Sequence, residues 1–125
     1  MSENEVSYII RGCIFKVYNS LGPGLLESAY EAALGHEIIK AGLNVRKQVG
    51  LPMIYDGVEV DIGYRLDLLV ENLVVVEIKS VEYLLDVQHK QLLTYLRLSS
   101  RKLGILVNFC TTDISNSIFR KVNNL

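Results

Sequence analysis

Between Tyr64 and Ser80 the chain reads Tyr-Arg-Leu-Asp-Leu-Leu-Val-Glu-Asn-Leu-Val-Val-Val-Glu-Ile-Lys-Ser. Two near-continuous apolar runs, Tyr64 to Val70 and Leu73 to Ser80, flank Glu71-Asn72, the pattern of adjacent central strands covered on both faces and joined by a tight turn. Three ionisable residues, Asp67, Glu77 and Lys79, sit inside these runs. An unpaired buried charge costs several kcal/mol or shifts its pKa until it is neutral. Period two places Val75, Glu77 and Lys79 on one strand face and Ile78 on the other. Either the three charges satisfy one another, or they hold something else.

The whole chain has 125 residues, half of them hydrophobic, with no Trp and few Gly or Pro, which predicts one globular domain over residues 1–125. A net charge of −1 gives no global attraction to nucleic acid or membrane, so any polyanion site must be local. Cys13 and Cys110 lie far apart in apolar surroundings without CxxC spacing. Free thiols in a reducing compartment, the cytoplasm, are expected. The acidic N-terminus lacks the pattern of an export signal, and no window approaches the length of a membrane span.

Val6, Ile10, Cys13, Ile14, Val17 and Leu21 recur at helical spacing and predict an amphipathic helix over 5–20, capped by Ser2 or Asn4. Leu21-Gly22-Pro23-Gly24 breaks it. A second helix is expected over 25–41, closed by Gly42, with Tyr30, Leu34, Ile38 and Ala41 as its apolar stripe. On that wheel Glu27 falls between Tyr30 and Ile38, which predicts an acid on the face the helix buries. Glu31, Glu37 and His36 make weaker demands, and His36 falls on the opposite, solvated side.

Strand periodicity follows from Asn44 to Tyr55, interrupted at Gly50-Leu51-Pro52, and Asp56-Gly57 is a strong hairpin signal. Val58, Val60 and Ile62 alternate with Glu59 and Asp61, predicting a returning strand with one buried and one wet face, with a bulge at Gly63. A third helix over 87–98 sets His89, Leu92, Leu93 and Leu96 on one side and Gln88, Gln91 and Tyr95 on an adjoining stripe. Lys102 to Phe109 reads as a buried strand, and Asp113 to Val122 as a short helix or an edge segment. The order is two helices, four strands, a helix, a strand and a tail.

Two carboxylates and a lysine at the ends of adjacent strands suit divalent-metal-dependent phosphodiester hydrolysis, since hard cations prefer oxygen donors. On this reading Asp67 and Glu77 hold the ion, with the Ile78 carbonyl as a further ligand and Glu27 completing the cluster from the second helix. Lys79 positions the attacking water and stabilises the anionic transition state. Gln91 and Tyr95, one helical turn apart, contact substrate phosphates or orient Lys79. The competing account is a buried ion-pair network of Asp67, Glu77 and Lys79. Three acids against one base leave an excess of like charge that a cation relieves. Tyr30 reads as core, and Gly22-Pro23-Gly24 as a helix break, because no Lys-Ser/Thr follows it.

Asp67, nine residues, then Glu77-Ile78-Lys79 resembles the core motif of the PD-(D/E)XK nuclease superfamily. Leu21-Gly22-Pro23-Gly24-Leu25-Leu26-Glu27-Ser28-Ala29-Tyr30 resembles the signature of the GxxExxY proteins, with Gly24, Glu27 and Tyr30 at the named positions. Asp67 to Glu71, the Val-Glu-Ile-Lys strand, Gln91 to Leu96 and Gly104 to Phe109 follow that family's order, and the similarity covers roughly residues 5–122. The resemblance implies an α/β, restriction-endonuclease-like (PD-(D/E)XK) three-layer core, a central mixed β-sheet flanked by helices. It implies a Mg²⁺- or Mn²⁺-dependent nuclease acting on DNA or RNA. Glu27, Asp67, Glu77 and Lys79 match its acidic and basic positions, and Gln91 and Tyr95 match its QxxxY helix. Gln88-His89-Lys90 carries glutamine where many relatives have histidine at the first position, so no catalytic part falls to His89. A homodimer is expected by analogy, for action on two strands. The alternative is a non-catalytic module that binds nucleic acid or protein through the same scaffold.

Overall fold

Ser2 starts the first helix with a reciprocal cap. Its hydroxyl accepts the Glu5 N–H at 3.2 Å, and the Glu5 carboxylate accepts the Ser2 N–H at 3.0 Å, which satisfies amides that the first turn would leave unpaired. The computed structural model describes residues 1–125. In it α1 spans Glu3–Leu21 and turns Val6, Ile10, Cys13, Ile14 and Val17 inward. The Gly22-Pro23-Gly24 break follows, and α2 spans Glu27–Lys40. Leu25 and Leu26, predicted as helix, belong to its entry turn.

The remaining elements are β1 (Val45–Gly50), β2 (Met53–Tyr55), β3 (Val58–Val60), β4 (Arg65–Val70), β5 (Val74–Lys79), α3 (Asp86–Ser99), β6 (Leu103–Asn108) and β7 (Ile118–Val122). Five strands form one sheet in the order β1-β4-β5-β6-β7. Its neighbours run antiparallel except β5 and β6, which are parallel and joined through α3. Glu71 (φ +53) and Asn72 (φ +56) make the tight turn between β4 and β5. The tail takes both predicted forms, a 3₁₀ turn at Ile114–Asn116 followed by the edge strand β7.

Alternation along the strands assigns side chains to two layers. Val74, Val76 and Ile78 join Leu68 and Val70 under α1 and α2, whereas Val75 joins Leu69 and Leu106 against Leu92, Tyr95 and Leu96 of α3. Helices on both faces make the three-layer α/β, restriction-endonuclease-like arrangement. Each fully buried Leu or Ile in these layers contributes about 1.5–3 kcal/mol. Gly104 lets α3 sit close to β6, because a Cβ there would lie 2.9 Å from Cδ1 of Leu92.

The segment from 53 to 63 departs from its prediction. Asp56 (φ +53) and Gly57 (φ +73) make the expected hairpin, but β2 and β3 form their own two-stranded sheet. Val58 is 60% exposed and Ile62 43%, because the returning strand ends at Val60 without a layer to cover its apolar face. Gly63 (φ +82) closes a turn instead of a bulge, its N–H donating to Oδ1 of Asp61 at 3.0 Å. Both cysteines are free, with Cys13 buried and Cys110 half-buried. No helix is long and apolar enough to cross a membrane.

Candidate active site

The β4–β5 ladder pairs Val70 with Val74, Leu69 with Val75 and Leu68 with Val76, and stops one rung short of Asp67 and Glu77. There side-chain carboxylates take over from backbone carbonyls. The N–H of Asp67 donates to Oε2 of Glu77 at 3.0 Å, and the N–H of Ile78 donates to Oδ2 of Asp67 at 2.8 Å. Each acid therefore satisfies a main-chain donor that the parting strands would orphan. Glu77 is only 7% exposed. Burial first, then the adjacent Asp67 charge, pushes its carboxyl up to about 9.

Lys79 is half-buried, and its charge favours the ionised form of Glu77. It pairs with no carboxylate. The ion pairs of the molecule are Lys40–Glu37 at 3.7 Å and Arg65–Asp61 at 3.9 Å, both away from these strands' buried faces. An ion-pair network therefore does not explain the three charges.

The glycine turn ahead of α2 is fastened from two sides. Buried Tyr30 donates its hydroxyl to the Gly22 carbonyl at 2.5 Å and accepts the Leu25 N–H at 3.2 Å. Its ring stacks on Phe109, with centroids 4.3 Å apart and planes at 4°. Ser80, just past β5, donates its hydroxyl to the Leu25 carbonyl at 2.7 Å. Gly24 supplies a φ of +102 that a larger residue would adopt only with strain. The Gly24, Glu27, Tyr30 spacing is thus a positioning device that sets the first turn of α2 against the end of β5.

Glu27 heads that turn and lines a cleft of about 190 Å³ with Ser28, Glu31, Gln48, Asp67 and Ile78. It is exposed, not buried as predicted. The arc that carries Tyr30 and Ile38 onto the sheet overhangs open cleft at the helix's first residue. As the side chains stand, no three His, Cys, Asp or Glu groups are gathered into a cation cage. Asp67 and Glu77 meet through main-chain bonds, and Glu27 lines the same cleft as Asp67.

Two further cleft residues have no site role in the sequence reading, Glu31 because it makes weaker demands there and Gln48 because nothing singles it out. Glu31 lies one turn beyond Glu27, and burial followed by the Asp67 charge raises its carboxyl. Gln48 lies in β1 with φ +49, and the β1–β4 register passes from Lys47–Leu68 to Val49–Leu66 without it. Its Nε2 donates to Oε1 of Glu31 at 2.6 Å and, more distantly, to Oδ1 of Asp67 at 3.4 Å. Leu66 and Leu68 pack on opposite sides of the sheet, so β4 breaks its alternation at Asp67, the residue facing Gln48. Only the i, i+4 spacing of Glu27 and Glu31 was available as a sequence signal.

On α3, Tyr95 is buried and tilts against Tyr64 with centroids 5.4 Å apart. Burial, then the charge of Glu77, raises its phenol. Gln91 is exposed and lines a separate groove with Tyr64, Val87, Lys90, Thr94 and Tyr95. Gln88 caps the helix, accepting the Leu85 N–H at 2.7 Å. His89 meets Phe119 edge-on at 4.8 Å, a packing contact. Buried Asn108 holds the loop after Lys79: it donates to the Val81 carbonyl at 2.9 Å and accepts N–H groups of Val81 at 3.1 Å and Cys110 at 3.3 Å.

No curated protein and no solved structure matches the chain. The family model that describes the PD-(D/E)XK nuclease superfamily matches residues 4–121. That span runs from the second residue of α1 to the penultimate residue of β7 and contains every residue of the cleft. With the match running from α1 into β7 over a layered α/β core, the chain belongs to the PD-(D/E)XK nuclease superfamily.

Proposed function

We propose that this chain is a single-domain, divalent-metal-dependent nuclease of the GxxExxY branch that hydrolyses phosphodiester bonds of DNA or RNA. The observation that carries the reading is Glu77, buried against Asp67 with main-chain bonds to both acids and no side-chain cation paired with either. Two carboxylates so close cannot both ionise without relief, and a proton on Glu77 is one form of it. A cation is another. The donors suit a hard ion: Asp67, Glu77 and the Ile78 carbonyl, with Glu27 opposite.

When bound, Mg²⁺ or Mn²⁺ supplies charge stabilisation at the phosphate and an easily deprotonated water. The chain's own residues do the remaining work. Asp67 and Glu77 are preset by the amides that hold them, so little reorganisation is needed. Lys79, unpaired and half-buried, offers its ammonium to the anionic transition state. Tyr95 lies buried on α3, where the charge of Glu77 acts on its phenol, and exposed Gln91 offers an amide to substrate phosphate. Recognition is local, since the net charge is −1. Cutting both strands of a duplex calls for a second copy. Two free thiols suit a reducing cytoplasm.

The test is incubation with single- and double-stranded DNA and RNA in Mg²⁺ or Mn²⁺, beside Asp67→Ala and Lys79→Ala. Cleavage should require the cation and fall about 10²–10³-fold in each variant. Unchanged cleavage in both sinks the mechanism. Cation-independent binding without cleavage supports the non-catalytic module instead.

A further inference from the structure

The residues with positive φ other than glycine are Gln48, Asp56, Glu71, Asn72, Ser100 and Asn124. Five lie in turns, a helix end or the tail, where left-handed backbone is ordinary; Gln48 interrupts a strand. Glutamine has no special tolerance for that region, in contrast to glycine or asparagine. Nor is it forced there by packing, because Gln48 is exposed. What the conformation accomplishes is aim: the carboxamide nitrogen reaches Glu31 at 2.6 Å and faces Asp67 at 3.4 Å. Strain retained without a packing gain is characteristic of functional positions.

We infer that Gln48 is a positioning residue of the cation site, a neutral clamp that holds Glu31 in the cleft and orients the free oxygen of Asp67. The inference rests on the cation reading above. Glutamine suits the task chemically. Its amide nitrogen carries two hydrogens, one for each carboxylate. It carries no charge, so it steadies two acids without neutralising them or competing with a cation, as lysine or arginine in its place would. Asp67 is then held at both oxygens, Oδ2 by the Ile78 amide and Oδ1 by Gln48. Groups behind a metal ligand set its orientation and affinity in this way.

Mn²⁺ binding to the purified protein, read by the electron paramagnetic resonance of the free ion, tests this with Asp67→Ala as control and Gln48→Gly as the probe. Glycine accepts the left-handed backbone, so Gln48→Gly should melt at or above the wild-type temperature while binding Mn²⁺ about tenfold more weakly. In the ¹⁵N–¹H spectrum of the cation-free protein, the Gln48 side-chain amide should stand apart from free glutamines and move in Glu31→Gln. Equal Mn²⁺ affinity in Gln48→Gly overturns the inference and leaves the cation reading standing. Wild-type binding that Asp67→Ala does not weaken overturns both. A melting temperature that falls together with affinity, or an amide resonance among the free glutamines, assigns Gln48 no positioning role and overturns the inference alone.

Discussion

The backbone N–H of Asp67 ends on the carboxylate of Glu77 at 3.0 Å, so the two acids are joined through the main chain and not through a shared cation-bearing side chain. The bond sits where the β4–β5 ladder has just stopped. The strands separate there, and their unpaired amides select for acceptors on short tethers. The same opening leaves Asp67 lining the cleft, with Glu77 buried beside it.

That arrangement sets a pH dependence. Glu77 keeps its proton in the folded protein up to about 9, whereas in the unfolded chain it ionises near 4.5. The folded state therefore binds the extra proton across that window. Stability from this group is complete below about 4.5 and is lost as pH rises through about 9. Melting temperatures of the cation-free protein should fall across this range, and Glu77→Gln should flatten the decline. Mn²⁺ should stabilise more at high pH than at low, because it displaces the proton. An identical slope in Glu77→Gln would contradict the assignment.

Lys79 contributes charge to the site without a bond that holds the fold. Lys79→Met should therefore leave unfolding free energy within about 0.5 kcal/mol of wild type in urea titrations. A loss above about 3 kcal/mol would reveal a buried ion pair instead.

Tyr30 couples the glycine turn to the core. Tyr30→Phe keeps the stack on Phe109 and removes both hydroxyl bonds, which should cost about 1–3 kcal/mol. Tyr30→Ala also opens a cavity and should cost about 3–5 kcal/mol. Cleavage by Tyr30→Phe should fall as well, because Glu27 hangs from the loosened turn. Wild-type stability in Tyr30→Phe would remove the clasp.

Gly104 is the contact point of α3 and β6. Gly104→Ala should cost about 1–3 kcal/mol by pressing on Leu92. Combined with Leu92→Val, part of that cost should disappear, and the double variant should be more stable than the two single effects summed. Strict additivity in chemical denaturation would show that the two residues do not meet.

Hydrophobic period and turn chemistry made much of the fold readable. The apolar runs of β4 and β5 were visible with their turn, as were the three helices within a few residues and the Asp56-Gly57 hairpin. Asp67, Glu77 and Lys79 stood out because charge inside a buried run is anomalous at the level of composition. The hairpin's apolar face misled, since alternation shows that a face is apolar and not that a layer exists to cover it. Glu27 misled for the related reason that a helical wheel gives direction around an axis and not how far the sheet extends beneath. Gln48 left no mark, because its left-handed backbone and its reach to Glu31 and Asp67 arise between distant segments, and glutamine is unremarkable in a strand.

By itself the sequence determined most of the elements, the two faces of the central strands and the anomalous charges within them, because these follow from short-range sterics and from the periodicity of burial. Tertiary structure alone decided that Glu27, Glu31 and Gln48 meet Asp67 in one cleft, that Lys79 stays unpaired, and that Tyr95 is buried where Gln91 is exposed on α3. Those placements depend on contacts between distant segments, such as Tyr30 on Phe109 and Ser80 on Leu25. No local pattern carries that information.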